Sequence, residues 1–137
     1  MRALSCRGIS VERDVFPALV AAGMKIYGYV EDSYWLDIGT PGALLAGSKY
    51  LVAGDFKVAA TSQIAPTAVL REGTSVGDGC TIEDDVSIRG SIISAGVHIG
   101  TGSEVVNSFI APGTRVAANT KIIGNYYSNE LISPLNF

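Results

Sequence analysis

Few residues in this chain have the types and spacing that chemistry needs. In "YWLDIGTP", residues 34–41, an aromatic pair, a carboxylate and a Gly-Thr-Pro turn follow without a break, as at the lip of an active site. Asp37 offers a hard oxygen donor, yet one carboxylate with no second ligand is a poor cation site. The same side chain can instead cap the Gly39-Thr40 turn. His98 is the sole histidine and falls on a corner between Val97 and Ile99. A lone imidazole there can act as a general base or simply face solvent. It cannot supply the three His ligands of a catalytic zinc centre. Cys80 reads as a small core residue, not a nucleophile. The run Glu83-Asp84-Asp85 reads as a solvated corner, since a Ca²⁺ site would need more oxygen ligands than the sequence presents.

The elements that must position these residues occupy 137 residues, enough for one ordinary domain or two small units. Apolar residues make up 47%, charged residues 17%, and the net charge is −3, so neither a disordered chain nor a basic nucleic-acid face is expected. Cys6 and Cys80 are far apart and form no C-x-x-C or Cys/His cluster, which argues against a disulfide framework or structural zinc and fits a reducing cytosol. The opening "MRALSCRGIS" lacks the apolar core of a signal peptide. No apolar run approaches the ~18 residues of a membrane span. A cytoplasmic protein without membrane or nucleic-acid partners is expected.

A repeat dominates the second half. A branched aliphatic recurs every six residues at Ile64, Leu70, Val76, Ile82 and Ile88. After a five-residue step it continues at Ile93, Ile99 and Val105, and after another at Ile110, Val116 and Ile122. Four residues behind each member stands a second, mostly small or β-branched series: Ala68, Thr74, Cys80, Val86, Ile92, Val97, Ser103, Phe109, Thr114 and Thr120. A period of six fits neither a helix nor a long alternating strand, but it fits short strands turning at regular corners. Glycines crowd the intervening positions, where corners need φ > 0. The two short steps lie 17 residues apart, so the shortened sides should stack on one face of successive coils.

This pattern resembles the hexapeptide-repeat family, which implies a left-handed parallel β-helix of triangular section; the handedness follows from the resemblance alone. Eleven sides make somewhat under four coils. Their open ends need caps or partners. The stretch "NYYSNELISPLNF" (Asn125 to Phe137) reads as a cap or an oligomer contact. Some hexapeptide proteins are acyltransferases with one His as general base, which makes His98 the residue of an alternative enzyme reading. Such enzymes usually interrupt the helix with a long loop, and none is present here.

In the first half, "SVERDVFPALVAA" places Val11, Val15, Phe16, Leu19 and Val20 at helical spacing between a capping Ser10 and Gly23, with Pro17 dividing it into a first turn and a new helix. "KIYGYV" and "YWLDI" flank Glu31-Asp32-Ser33 as a hairpin would. Thr40 and Pro41 then open a second helix, with Leu44, Leu45, Leu51 and Val52 along it and Gly54 beyond its end. The expected fold is therefore mainly β: a left-handed β-helix with its cap over residues 58–137, behind a small α/β helix-hairpin-helix unit over residues 1–57.

The order "ISVERDVFPALVAAGMKIYGYVEDSYWLDIGTPGALLAG" running into hexapeptide repeats resembles the carboxyl-terminal end of sugar-nucleotide pyrophosphorylases, mannose-1-phosphate guanylyltransferases above all. It covers about residues 9 to 123. The resemblance implies a parent enzyme that joins a nucleoside triphosphate to a sugar 1-phosphate and releases pyrophosphate. It also implies that Asp37 helps hold a catalytic Mg²⁺, and that Trp35 and Gly39 help shape the sugar pocket. The family's Gly-rich nucleotide loop, its first metal-binding Asp and its "EKP" segment have no counterpart in these residues. The expectation is thus a nucleotidyltransferase's carboxyl-terminal part, working mainly in oligomerisation or regulation and inactive alone, with Mg²⁺ relevant only beside a complete catalytic domain. Self-association as a dimer or larger is expected. A rival is a noncatalytic scaffold that binds a catalytic nucleotidyltransferase subunit through its hairpin edge.

Overall fold

A computed structural model of the chain describes residues 8–135, so Cys6 and Phe137 lie outside the described residues. It divides into two compact units, Met1–Tyr34 and Trp35–Phe137. The expected boundary at residue 57 falls inside the second.

In the first unit, a π-helical turn, Val11–Val15, leads into helix α1, Phe16–Ala21. Ser10 caps it twice over: its hydroxyl accepts from Arg13 N–H at 3.2 Å, and its own N–H donates to Asp14 at 2.8 Å. Pro17 sits in the first turn of α1, where its missing N–H is least costly, and the wider π turn ahead accommodates its ring. Gly23, at φ 70°, ends the helix. Gly23 N–H bonds to Val20 C=O and Met24 N–H to Leu19 C=O, so a Schellman motif satisfies the last carbonyls.

The hairpin is not formed. Residues 25–39 contain no strand, and Tyr27, Tyr29 and Val30 are more than four-fifths exposed. Only the turn survives, with Glu31 accepting from Ser33 N–H at 3.0 Å and Ser33 Oγ at 2.6 Å. Two strands alone cannot bury enough surface to offset their ordering entropy, and no sheet among the described residues takes them in.

The second unit starts with helix α2, Pro41–Val52, as its signals predict. Thr40 Oγ1 accepts from Ala43 N–H at 3.1 Å, Pro41 fills the first turn, and Ala53 and Gly54 close the helix in left-handed geometry. Leu45 and Val52 are buried, whereas Leu44 and Leu51 face outward.

Fourteen short strands follow: β1 Phe56–Val58, β2 Gln63–Ile64, β3 Val69–Arg71, β4 Thr74–Val76, β5 Thr81–Ile82, β6 Ser87–Arg89, β7 Ile92–Ile93, β8 His98–Ile99, β9 Glu104–Val106, β10 Phe109–Ile110, β11 Arg115–Val116, β12 Lys121–Ile123, β13 Asn125–Tyr127 and β14 Ile132–Pro134. They stack into three parallel sheets, β1-β4-β7-β10-β13, β2-β5-β8-β11 and β3-β6-β9-β12, the walls of a β-solenoid. β14 adds to the first sheet antiparallel to β13. Gln63 lies opposite Thr81, a step of 18, but Thr81 lies opposite His98 and His98 opposite Arg115, steps of 17.

The aliphatic series forms the core. Ten of its eleven members, Leu70 through Ile122, are at least nine-tenths buried, and Ile64 packs against them in the first coil. The second series needs correction at the two short steps. There the buried positions are Ser91 and Ser108, while Ile92 and Phe109 are only half-buried; Phe109 stacks on Tyr126 at 5.6 Å. The reason is the corner itself. Glu72-Gly73 fill it in the first coil, but Gly90 and Asn107 fill it singly in the next two, so the inward position arrives one residue earlier. Ser108 N–H donates to Ser91 Oγ at 3.1 Å and Asn125 N–H to Ser108 Oγ at 3.2 Å. The deletions stack, as their spacing requires.

Helix α2 lies along the first sheet within this unit. Ser48 Oγ and Ser75 Oγ are 3.2 Å apart, and Lys49 Nζ donates to Asn107 Oδ1 at 2.6 Å. The predicted cap is present: Leu135 is buried and its N–H bonds to Gly124 C=O at 2.8 Å.

Candidate functional site

Asp37 stands three residues ahead of the α2 N-cap, beside Leu36, whose Cδ2 would lie 2.9 Å from a Cβ added at Gly47. That close approach explains a glycine in the middle of α2. The Asp37 side chain is exposed and its Oδ1 accepts from Gly39 N–H at 3.0 Å. This is the turn-capping geometry. Among the described residues no three His, Cys, Asp or Glu side chains gather as a metal site. The residues present therefore do not fit a Mg²⁺ site by themselves; Asp37 fits the part of one oxygen ligand among several. Trp35 is four-fifths exposed. Gly39 offers no room for a side chain without crowding Asp37 Oδ1, 3.2 Å from its added Cβ.

His98 lies on strand β8, not at a bare corner, and is partly buried. Its Nε2 is 2.8 Å from Glu83 Oε1, while Glu83 Oε2 accepts from Thr101 N–H at 2.9 Å and Thr101 Oγ1 at 2.8 Å. The Thr101 backbone bond, then its hydroxyl and His98, hold the Glu83 carboxyl below the ordinary carboxylate range. The register explains the meeting: His98 pairs beside Thr81, which puts Glu83 within reach one coil below Thr101. That partner is invisible in the sequence until the 17-residue step is used to align coils.

The other acidic residues separate in the same way. Asp84 Oδ1 accepts from Thr67 Oγ1 at 2.9 Å, and Asp85 takes a corner at φ 57° where its N–H bonds to Thr67 Oγ1 at 2.9 Å. On the third sheet Glu104 bridges Lys121 at 2.8 Å and Arg89 at 3.4 Å, and Lys121 chiefly lowers its pKa. Cys80 is buried, with Sγ 3.0 Å from Ser94 C=O, as a core residue should be. No loop interrupts the coils between β2 and β12, since every coil steps by 17 or 18 residues. An acceptor pocket beside His98 thus has nothing to build it.

Sequence reasoning missed one concavity. A cavity of about 420 Å³ lies where α2 begins and the cap ends, lined by Thr40, Pro41, Tyr126, Leu131, Pro134 and Leu135. Its signal is the coincidence of two proline-bearing segments that the sheet brings together. No helix among the described residues is long and apolar enough to cross a membrane.

No family model matches the chain. Over 49 residues, 35% of its length, it is 61% identical to mannose-1-phosphate guanylyltransferase of Mycobacterium tuberculosis. It spans only 14% of that relative's length. Together with the β-solenoid, this bears out the resemblance read from the sequence: the chain carries a stretch homologous to a nucleotidyltransferase.

Proposed function

We propose that the chain is a carboxyl-terminal portion of a nucleotidyltransferase of the GDP-mannose-forming type and serves mainly as its oligomerisation and regulatory module. The observation that carries this is the 61% identity over 49 residues to a mannose-1-phosphate guanylyltransferase, in a chain that also forms stacked coils. In the complete enzyme a nucleoside triphosphate and a sugar 1-phosphate yield a nucleotide-sugar and pyrophosphate. Mg²⁺ there would offset charge on the phosphates, and Asp37 would give it one oxygen. What these residues lack is any Gly-rich loop able to cradle a triphosphate.

The chain alone is thus expected to make no nucleotide-sugar from GTP, mannose 1-phosphate and Mg²⁺. Pyrophosphate release above the blank by the purified chain would overturn this reading. A second reading draws on segment 25–39, which forms no strand, with its exposed Tyr27, Tyr29 and Trp35. A catalytic subunit supplying neighbouring strands would cover it, making the chain a scaffold for that subunit. Co-purification with a nucleotidyltransferase discriminates the two.

A further inference from the structure

Helix α2 stands between the Asp37 turn and the coils, and it meets each through glycine. On one side its own Gly47 makes room: a Cβ added there would lie 2.9 Å from Leu36 Cδ2 and 3.7 Å from Ile38 Cγ2, so the residues flanking Asp37 lie against the helix. On the other side the glycines belong to the coils. A Cβ added at Gly73 would lie 3.1 Å from Lys49 Cα, and one at Gly90 would lie 2.7 Å from Lys49 Cε and 2.8 Å from its Nζ. Two residues apart on a helix, Gly47 and Lys49 face nearly opposite ways, so α2 is held from both sides.

Gly73, Gly90 and Asn107 occupy the same corner in three successive coils, as the pairings of Arg71 with Arg89 and of Arg89 with Val106 require. Lys49 runs along that corner. Its stem crosses Gly73 and Gly90, and its Nζ donates to Asn107 Oδ1 at 2.6 Å. The fully buried Leu45 and the contact of Ser48 with Ser75 hold α2 against the coils, and the charge-assisted bond of Lys49 fixes where along the corner the helix sits. At the other end of α2, Thr40 Oγ1 caps the helix while Asp37 Oδ1 accepts from the adjoining Gly39 N–H. The path from Asn107 to Asp37 is thus continuous through Lys49, α2 and Leu36.

We infer that Lys49 is a positioning residue, through which the coils set where the Asp37 carboxylate stands. Coupling of this kind needs packed side chains, hydrogen bonds and a rigid element in unbroken contact, and α2 supplies the rigid element. A shift of the third coil against the second would carry Asn107, and with it Lys49 and the helix. The close approaches at Gly73, Gly90 and Gly47 leave little slack to absorb such a shift. The use made of the Asp37 carboxylate rests on the nucleotidyltransferase reading above; the mechanical link does not.

Methyl and amide NMR of the whole chain, with hydrogen exchange alongside, tests the link. Lys49→Met keeps the stem and loses the donor; Asn107→Gly suits the left-handed φ of 47° and loses the acceptor. Each should speed exchange of the α2 amides by about fivefold, and each should move the Leu36 and Ile38 methyl signals and the Gly39 amide signal. The double variant should do no more than either alone, since both remove one interaction. Asn107→Asp keeps an oxygen acceptor and should preserve the spectrum of the unmodified chain at these positions. Lys121→Met, which breaks an ion pair on the third sheet, should also leave them in place. Faster α2 exchange with the Leu36, Ile38 and Gly39 signals unmoved would reduce Lys49 to a stabilising contact and overturn the inference, as would additive effects or no change at all. Pyrophosphate release by the purified chain would instead overturn the proposed function and leave these spectra as they are.

Discussion

Glu83 ties two successive coils together through one carboxylate, and it shows how the solenoid uses side chains that the sequence presents as candidates for catalysis. Its two oxygens take His98 and Thr101. Folding lowers its pKa, so the folded chain binds fewer protons there than the unfolded one. The stability it adds is complete above the ordinary carboxylate range and is lost as pH falls through the lowered value. Glu83→Gln should therefore lower Tm at neutral pH, with the gap to the unmodified chain persisting into the ordinary carboxylate range and closing only below it. Thermal melts across that range check this; a gap that does not depend on pH would contradict the pairing. At this scale the sequence was partly legible. The turn-capping alternative for Asp37 and the inert core role of Cys80 could be read from their neighbours. The partner of His98 could not, because it lies 15 positions away and is set by coil register.

Among elements, local signals succeeded wherever the element supports itself. Thr40-Pro41 and Gly54 bracket α2, and each aliphatic of the six-residue series faces the axis. They failed in two places with distinct causes. The segments around Glu31-Asp32-Ser33 have the alternation of a hairpin, but pairing two strands without a third layer gains too little. The second inward series slips at Ser91 and Ser108 because a residue is lost from the corner instead of from the flat wall. Glycine marks where coils meet most closely: a Cβ on Gly100 would lie 2.7 Å from Ala118 N and 3.0 Å from Ala118 Cα. Backbone cannot move aside as a side-chain tip can. Gly100→Ala should thus destabilise the chain by about 1–3 kcal/mol in urea denaturation, in the range of overpacking. Gly28→Ala, with open space around its added Cβ, should have little effect; equal losses for both would contradict the close coil contact.

For the whole molecule, the period of six was enough to predict parallel walls and a single axial core, since only stacked corners place every sixth residue inside. What it could not reveal is how the ends are closed. Hydrogen bonds from Asn129 and the antiparallel return of β14 depend on residues outside the repeat. The same view separates parts that pack on one another from a segment that stays largely exposed. Coils and α2 share buried side chains and ladders, whereas residues 25–39 have neither strand pairing nor, apart from the half-buried Leu36, any burial.

Limited proteolysis with chymotrypsin tests that division most directly. The account predicts first cuts at Tyr27, Tyr29, Tyr34 or Trp35 and a resistant fragment running from there through the coils. Early cleavage within residues 63–123, or resistance of the aromatic segment equal to that of the coils, would contradict it.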